Sequence, residues 1–130
     1  MADSALHTIP GGQALIAWFG FVPNFHDAKL QSISIVNGGP CTLRIRAFRM
    51  TDRVDDRGYF VLDKHVVVTM TLTAVSHVLL TSFDLVGGIF DLQITVTEGG
   101  YEIAWTGVCG GDDGLLRAKQ VQIDLQPDAC

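Results

Sequence analysis

The chain has 130 residues, of which 48% are hydrophobic and 18% charged, with a formal net charge of -5. That length makes one ordinary domain with a hydrophobic core of its own, and the composition excludes a disordered chain, which needs low hydrophobicity and high charge. A net negative charge repels phosphate backbones, so nucleic acid is not an expected partner, and no apolar run approaches the ~20 residues that span a bilayer.

Met1–Gly12 reads as a flexible tail ending in the breaker Pro10-Gly11-Gly12. Residues 13–127 then form a single β-rich domain. Gln13–Phe19 is the expected short N-terminal helix, because Leu15, Trp18 and Phe19 fall at i, i+3 and i+4 on one face. Gly20 is its expected stop. Such a helix is too short to stand alone, so Trp18 and Phe19 are its expected anchors on the rest of the fold.

From Ala28 onward the period becomes two. Ser32–Ile35 and Cys41–Phe48 alternate across the turn Asn37-Gly38-Gly39-Pro40, which predicts an antiparallel hairpin with Leu43, Ile45 and Ala47 on one face. Thr51–Gly58 reads as a charged loop. Short strands are expected at Tyr59–Leu62 and Val78–Leu80. Between them His65–Thr73 is the clearest strand, with Val66, Val68, Met70 and Leu72 facing one way. Phe90, Leu92, Ile94 and Val96 are expected to point inward from a strand over Ile89–Thr97. Glu98-Gly99-Gly100 turns into a return strand carrying Tyr101, Ile103 and Trp105. Leu115–Leu125 is the last strand, with Val121, Ile123 and Leu125 on one side. The expected fold is therefore mainly β. It is an antiparallel meander of about eight strands forming a sandwich or open barrel, with one short helix at the start.

Chemistry-bearing patterns are sparse. Cys41, Cys109 and Cys130 have no zinc spacing, and no secretory leader precedes them, so reduced thiols in a cytoplasmic protein are expected. No phosphate loop, nucleophile elbow or calcium loop is present, and Gly110-Gly111-Asp112-Asp113-Gly114 reads as a turn. No metal and no cofactor is expected. The arginines Arg44, Arg46, Arg49, Arg53 and Arg57 read as the solvated side of a strand and its turn.

The most unusual segment is Pro23-Asn24-Phe25-His26-Asp27-Ala28, where an aromatic ring adjoins an imidazole and a carboxylate. One reading is a proton-transfer or polar binding pair of His26 and Asp27, with His65 nearby, in an enzyme or small-ligand binder. The other is structural: Asp27 serves local backbone donors and Phe25 plugs the core. Trp105 and Tyr101 divide in the same way between a ligand cavity and packing.

The run Trp18-Phe19-Gly20-Phe21-Val22-Pro23-Asn24-Phe25-His26-Asp27-Ala28 resembles the opening motif of immunity protein family 50, from bacterial polymorphic toxin systems. Phe48-Arg49-Met50-Thr51, Val54-Asp55, Arg57-Gly58-Tyr59 and His65 are similar to a second block of that family. The segment from Phe83 departs from it. The resemblance implies a small, mainly β, cytoplasmic protein without catalytic residues that binds and neutralises a cognate toxin protein. On it Phe25, His26, Asp27 and His65 are candidate binding residues. A homodimer, pairing through an exposed strand edge or apolar face, is a third expectation.

Overall fold

The structure is a computed structural model, and it describes residues 4–81, 88–107 and 113–127. Helices α1 (Ser4–Thr8) and α2 (Gly12–Phe19) are followed by six strands. These are β1 (Lys29–Ser34), β2 (Cys41–Val54), β3 (Phe60–Leu80), β4 (Ile89–Thr97), β5 (Gly100–Gly107) and β6 (Gly114–Pro127). All pair antiparallel in one sheet of order β1-β2-β3-β6-β5-β4. The sheet is open. The expected mainly β, antiparallel fold holds, in its open form rather than as a sandwich, and the strand order departs from a plain meander only where β6 inserts between β3 and β5 and leaves the β4–β5 hairpin on the outside.

Six strands replace the expected eight because three short ones are pieces of β3. Lys64 and Ala74 both have positive φ, 56° and 58°, and the ladders shift register beside them. These bulges bend the strand without ending it, and a bend in alternation resembles a break when read from sequence. The Thr51–Gly58 loop is likewise shorter than expected. Strand β2 continues to Val54, and the reversal is a turn over Asp55–Gly58. There the Asp55 carboxylate accepts from the amides of Arg57 and Tyr59.

The sheet's inner face forms the core. Leu43, Ile45, Val66, Val68, Met70, Leu72, Ile103 and Leu116 are fully buried, with Val121, Ile123 and Trp105 nearly so. Trp105 and Ile103 thus serve packing. Cys41 lies in the same core as a small hydrophobe. Phe90 and Val96 were expected inside but are exposed. A register shift between Ile89 and Asp91 turns Phe90 outward, while Leu92 and Ile94 stay buried.

The expected flexible tail contributes to the core from Ala5 onward. Ala5, Leu6 and Ile9 are buried, and the Pro10 carbonyl accepts from the Ile123 amide of β6 at 2.8 Å. Gly11 joins α1 to α2 with φ 88°, and an added Cβ there would collide with the Ile123 carbonyl. A glycine meets both demands. In α2, Leu15 and Phe19 are buried as expected, and Gly20 closes the helix in the left-handed region. Trp18 lies partly buried at the rim, donating through Nε1 to the Lys64 carbonyl at 2.9 Å. The Lys64 ammonium sits 5.0 Å from the indole centroid. Among the described residues no helix is long and apolar enough to cross a membrane.

The two helices cover the inner face of a sheet that, among the described residues, has no second sheet opposite it. Truncating their largest buried side chain, Phe19→Ala, is expected to cost about 3–5 kcal/mol. That is a large share of the ~5–15 kcal/mol of a typical domain, and urea unfolding followed by circular dichroism measures it.

Candidate functional site

The segment from Asn24 to Ala28 runs along the outer edge of β4. The Leu92 amide donates to the Asn24 carbonyl at 2.9 Å. The Asp27 amide donates to the Ile89 carbonyl, and the Ile89 amide to the Ala28 carbonyl, both at 2.7 Å. Ala28 leads directly into β1, the opposite edge of the sheet. Six strands spaced ~4.8 Å apart would hold their edges about 24 Å apart in a flat sheet. Here they come within hydrogen-bonding reach, so the sheet is curled and this segment clasps its two edges at one end.

The residue types follow from that task. Phe25 and Asp27 both have left-handed backbone, φ 62° and 65°. The Asn24 side chain accepts from the His26 amide at 3.1 Å, and the Ala28 amide returns to the Phe25 carbonyl at 3.0 Å. Asp and Asn tolerate such turns better than most residues, whereas Phe at positive φ carries strain. Burial of the Phe25 ring in the core offsets it, and Ala28 is buried beside it. Gly88, at φ 88°, lies where an added Cβ would press on the Ala28 carbonyl at 2.9 Å.

His26 is committed to the same clasp. Its Nδ1 lies 2.9 Å from the Phe90 carbonyl. A carbonyl only accepts, so Nδ1 carries the hydrogen in this bond. The Phe90 ring, turned out by the bulge, meets the imidazole edge-on with centroids 5.4 Å apart. Nε2 lies 3.5 Å from the Asp27 carboxylate, and the two side chains are 49% and 42% exposed. The pair therefore forms a solvent-facing latch.

Next to the latch is a cleft of about 200 Å³ walled by Phe19, Phe21, Pro23, Phe25 and Phe48. His26 and Arg49 stand at its rim. The Arg49 guanidinium is occupied, donating to both oxygens of Asp63 at 2.9 and 2.8 Å. Those two hydrogen bonds hold the Asp63 carboxyl below its usual range against partial desolvation, with the charges of Arg49, Arg53 and Lys64 assisting. The same bonds raise the Arg49 guanidinium above its ordinary value. The cleft is thus apolar, with its polar rim spoken for internally.

His65 is not part of the latch. It sits on β3 next to the Lys64 bulge and packs against the Phe48 ring, centroids 6.0 Å apart. Phe25, His26 and Asp27 come together; His65 reaches them only through Phe48, which lines the cleft. Among the described residues no group of three or more His, Cys, Asp or Glu side chains could hold a metal ion. Asp113 bonds to Thr81 by backbone and side chain, while Gly110–Asp112, Cys109, Cys130 and Phe83 lie outside the described residues.

A second feature was not evident as a site from sequence. The β6 ladder on β3 begins at Val66, but the β2 ladder continues to Val54↔Phe60. The far part of the β2–β3 hairpin is therefore a two-stranded ribbon extending past the sheet. It is braced by Arg49–Asp63 and by the Thr51 hydroxyl donating to the Val61 carbonyl at 2.7 Å. Its outer end exposes Val54, Leu62, Phe60 (55%) and Tyr59 (69%). Comparison of the chain with protein-family models, curated proteins and solved structures gave no match.

If Asp27 acts through its backbone, Asp27→Gly unfolds at the wild-type urea concentration or higher, because glycine relieves the left-handed strain. Asp27→Val, β-branched, is then less stable by about 1–3 kcal/mol. Equal losses in both variants would place the role in the carboxylate instead. For Asp63 the folded pKa is depressed, so protonation favours the unfolded chain. Its contribution is complete above the unfolded value, about 3.9, and is lost as pH falls through the lower folded value. Asp63→Asn is expected to lower the urea midpoint at neutral pH and to flatten its decline in acid.

Proposed function

We propose that this chain is a protein-binding domain that engages a partner protein through the β2–β3 ribbon. In its most concrete form it is an immunity-type protein that masks a cognate toxin. The observation that carries the reading is the ribbon itself. Two aromatic rings more than half exposed, beside Val54 and Leu62, stand on a braced hairpin clear of the sheet. Exposed aromatic and apolar groups on a rigid support are the usual anchors of a protein interface. Around them Arg53, Arg57 and Lys64 alternate with Asp52, Asp55 and Asp56, a polar rim of both signs that suits specificity. The toxin assignment comes from the sequence resemblance, whose second block, Phe48–Thr51 to His65, spans this ribbon. The acidic net charge is compatible with a basic toxin.

The alternative, an enzyme or small-ligand binder using His26 and Asp27, has less support. The imidazole is engaged with a backbone carbonyl, and the neighbouring cleft offers an apolar wall.

The test begins with recovery of partners from the native host and reconstitution of a one-to-one complex from purified components. Tyr59→Ala and Phe60→Ala are each expected to weaken that complex at least tenfold, with unfolding midpoints unchanged. Co-expression with the partner is expected to rescue growth. A complex indifferent to both variants, or a partner whose toxicity persists, would refute the reading. A weakening confined to His26→Ala would favour the small-ligand alternative.

A further inference from the structure

The two ladders on β3 are staggered. The β2 ladder ends at Cys41↔Leu72, whereas the β6 ladder runs on to Leu80↔Gly114. From Thr73 to Leu80 the strand is therefore paired on one side, and among the described residues no strand pairs with its other side. Its outward backbone groups form a template for another strand.

The chemistry of this edge differs from that of the others. Residues 70–81, Met-Thr-Leu-Thr-Ala-Val-Ser-His-Val-Leu-Leu-Thr, contain no Asp, Glu, Lys, Arg or Pro. The outer edge of β4 is taken by the clasp and carries Asp91. That of β1 carries one charge, Lys29 at the clasp, and is otherwise blunted by its six-residue length and the bulge between Leu30 and Ser32. The stretch of β6 beyond its β5 ladder carries Lys119 and Asp124 and is bonded at Ile123 to Pro10. Charges and covering segments are the devices by which proteins prevent edge-to-edge pairing. The Thr73–Leu80 edge carries no such charge, and the β1–β2 connection stands beside part of it without pairing as a strand.

The edge also borders an apolar recess. The β1–β2 connection lies beside it and forms a cleft of about 370 Å³ with Ile35, Val36 and Pro40 facing Val75 and Val78. Ile35, Val36, Val78, Leu79 and Leu80 are each 39–59% exposed. Val78 and Leu80 expose apolar side chains on one face of the strand and Leu79 on the other, so both flanks of the edge are apolar.

We propose that this edge is a homodimer interface, in which Thr73–Leu80 pairs antiparallel with the same segment of a second copy about a twofold axis near His77. An antiparallel strand pair about a twofold axis uses the same donors and acceptors on both sides, so an unguarded edge is complementary to itself. The absence of formal charge on this edge admits a second copy. Each copy carries a formal charge of -5, so two copies repel at most orientations. Repulsion is least where the meeting segments carry no formal charge. A partner selected by charge finds nothing to select there. Pairing would continue the sheet through both molecules, lay Ile35 and Val36 of each copy against the other's strand, and leave the ribbon at the far end of β3 accessible. The proposal is thus independent of the partner-binding reading.

The test is the oligomeric state of the full chain from sub-micromolar to hundreds of micromolar, by sedimentation and light scattering. A species of twice the 14.1 kDa chain mass is expected. The double variant Val78→Lys, Leu79→Lys is expected to remain monomeric at ten times the wild-type dissociation constant, with unchanged circular dichroism. Should that variant misfold, a cross-link decides. In a Cys109→Ser, Cys130→Ser background, His77→Cys is expected to form a disulfide-linked dimer under mild oxidation, and Gln122→Cys is not. A wild-type monomer throughout the range overturns the proposal. So does a dimer that the lysines leave intact and His77→Cys does not capture. A monomer that accepts an extended strand of another protein at this edge also overturns it.

Discussion

Two backbone hydrogen bonds, exchanged between Ile89 and the pair Asp27–Ala28, set the shape on which the rest depends. A single six-stranded sheet has two faces and two edges, and among the described residues this one has no second sheet to pack against. Joining its edges at one end turns the inner face into a cup. The helices α1 and α2 then fill the cup, and Phe19, Phe25 and Leu15 enter the same core as Leu43 and Met70. The unusual features of the Pro23–Ala28 segment serve this joint. They include two left-handed non-glycine residues, an Asx turn, and a histidine latched to the carbonyl of a bulged residue.

The second organising fact is the offset of β2 and β6 along β3. Each covers a different length of the 21-residue strand, so β3 is paired on both sides only over its middle. That middle, from Val66 to Leu72, is where the side chains are most completely buried. The two ends are where apolar side chains meet solvent, Tyr59 and Phe60 at one and Val78 to Leu80 at the other. The surfaces with most capacity for association are therefore by-products of how one long strand is shared.

Much of the architecture was readable from the residues, for a physical reason. Alternation survives wherever a strand has one buried face, so Leu43-Ile45-Ala47, Val66-Val68-Met70-Leu72 and Val121-Ile123 read correctly. It fails at bulges, which is why β3 read as three strands and Phe90 as inward. Order along the sheet carries no local signal, so the insertion of β6 beside β3 was not legible. Nor was the docking of Ser4–Ile9, because a five-residue helix shows too little of a helical period to distinguish from a loose tail. At the candidate site the pattern Phe25-His26-Asp27 was found, and of its structural reading the buried Phe25 ring holds, whereas the local backbone donor is served by Asn24 and the Asp27 carboxylate faces His26 Nε2 instead. The pattern's partners, the carbonyls of Ile89 and Phe90, are backbone groups that no side-chain pattern announces. The ribbon was hidden because Thr51–Gly58 has the composition of a loop, although its first half is strand.

The clasp has a temporal consequence. His26 and Phe90 are 64 residues apart in sequence, whereas the β2–β3 and β4–β5 hairpins join neighbours across short turns. Bringing distant segments together spends chain entropy before any contact repays it, and hairpins form far sooner than such closures. Contact order alone therefore favours the two hairpins forming before the seam at residues 24–28. Until that seam shuts, the inner face of the sheet is incompletely covered. For this chain the interval before closure is when encounters between copies are most consequential, whether they lead to ordered pairing or to aggregation.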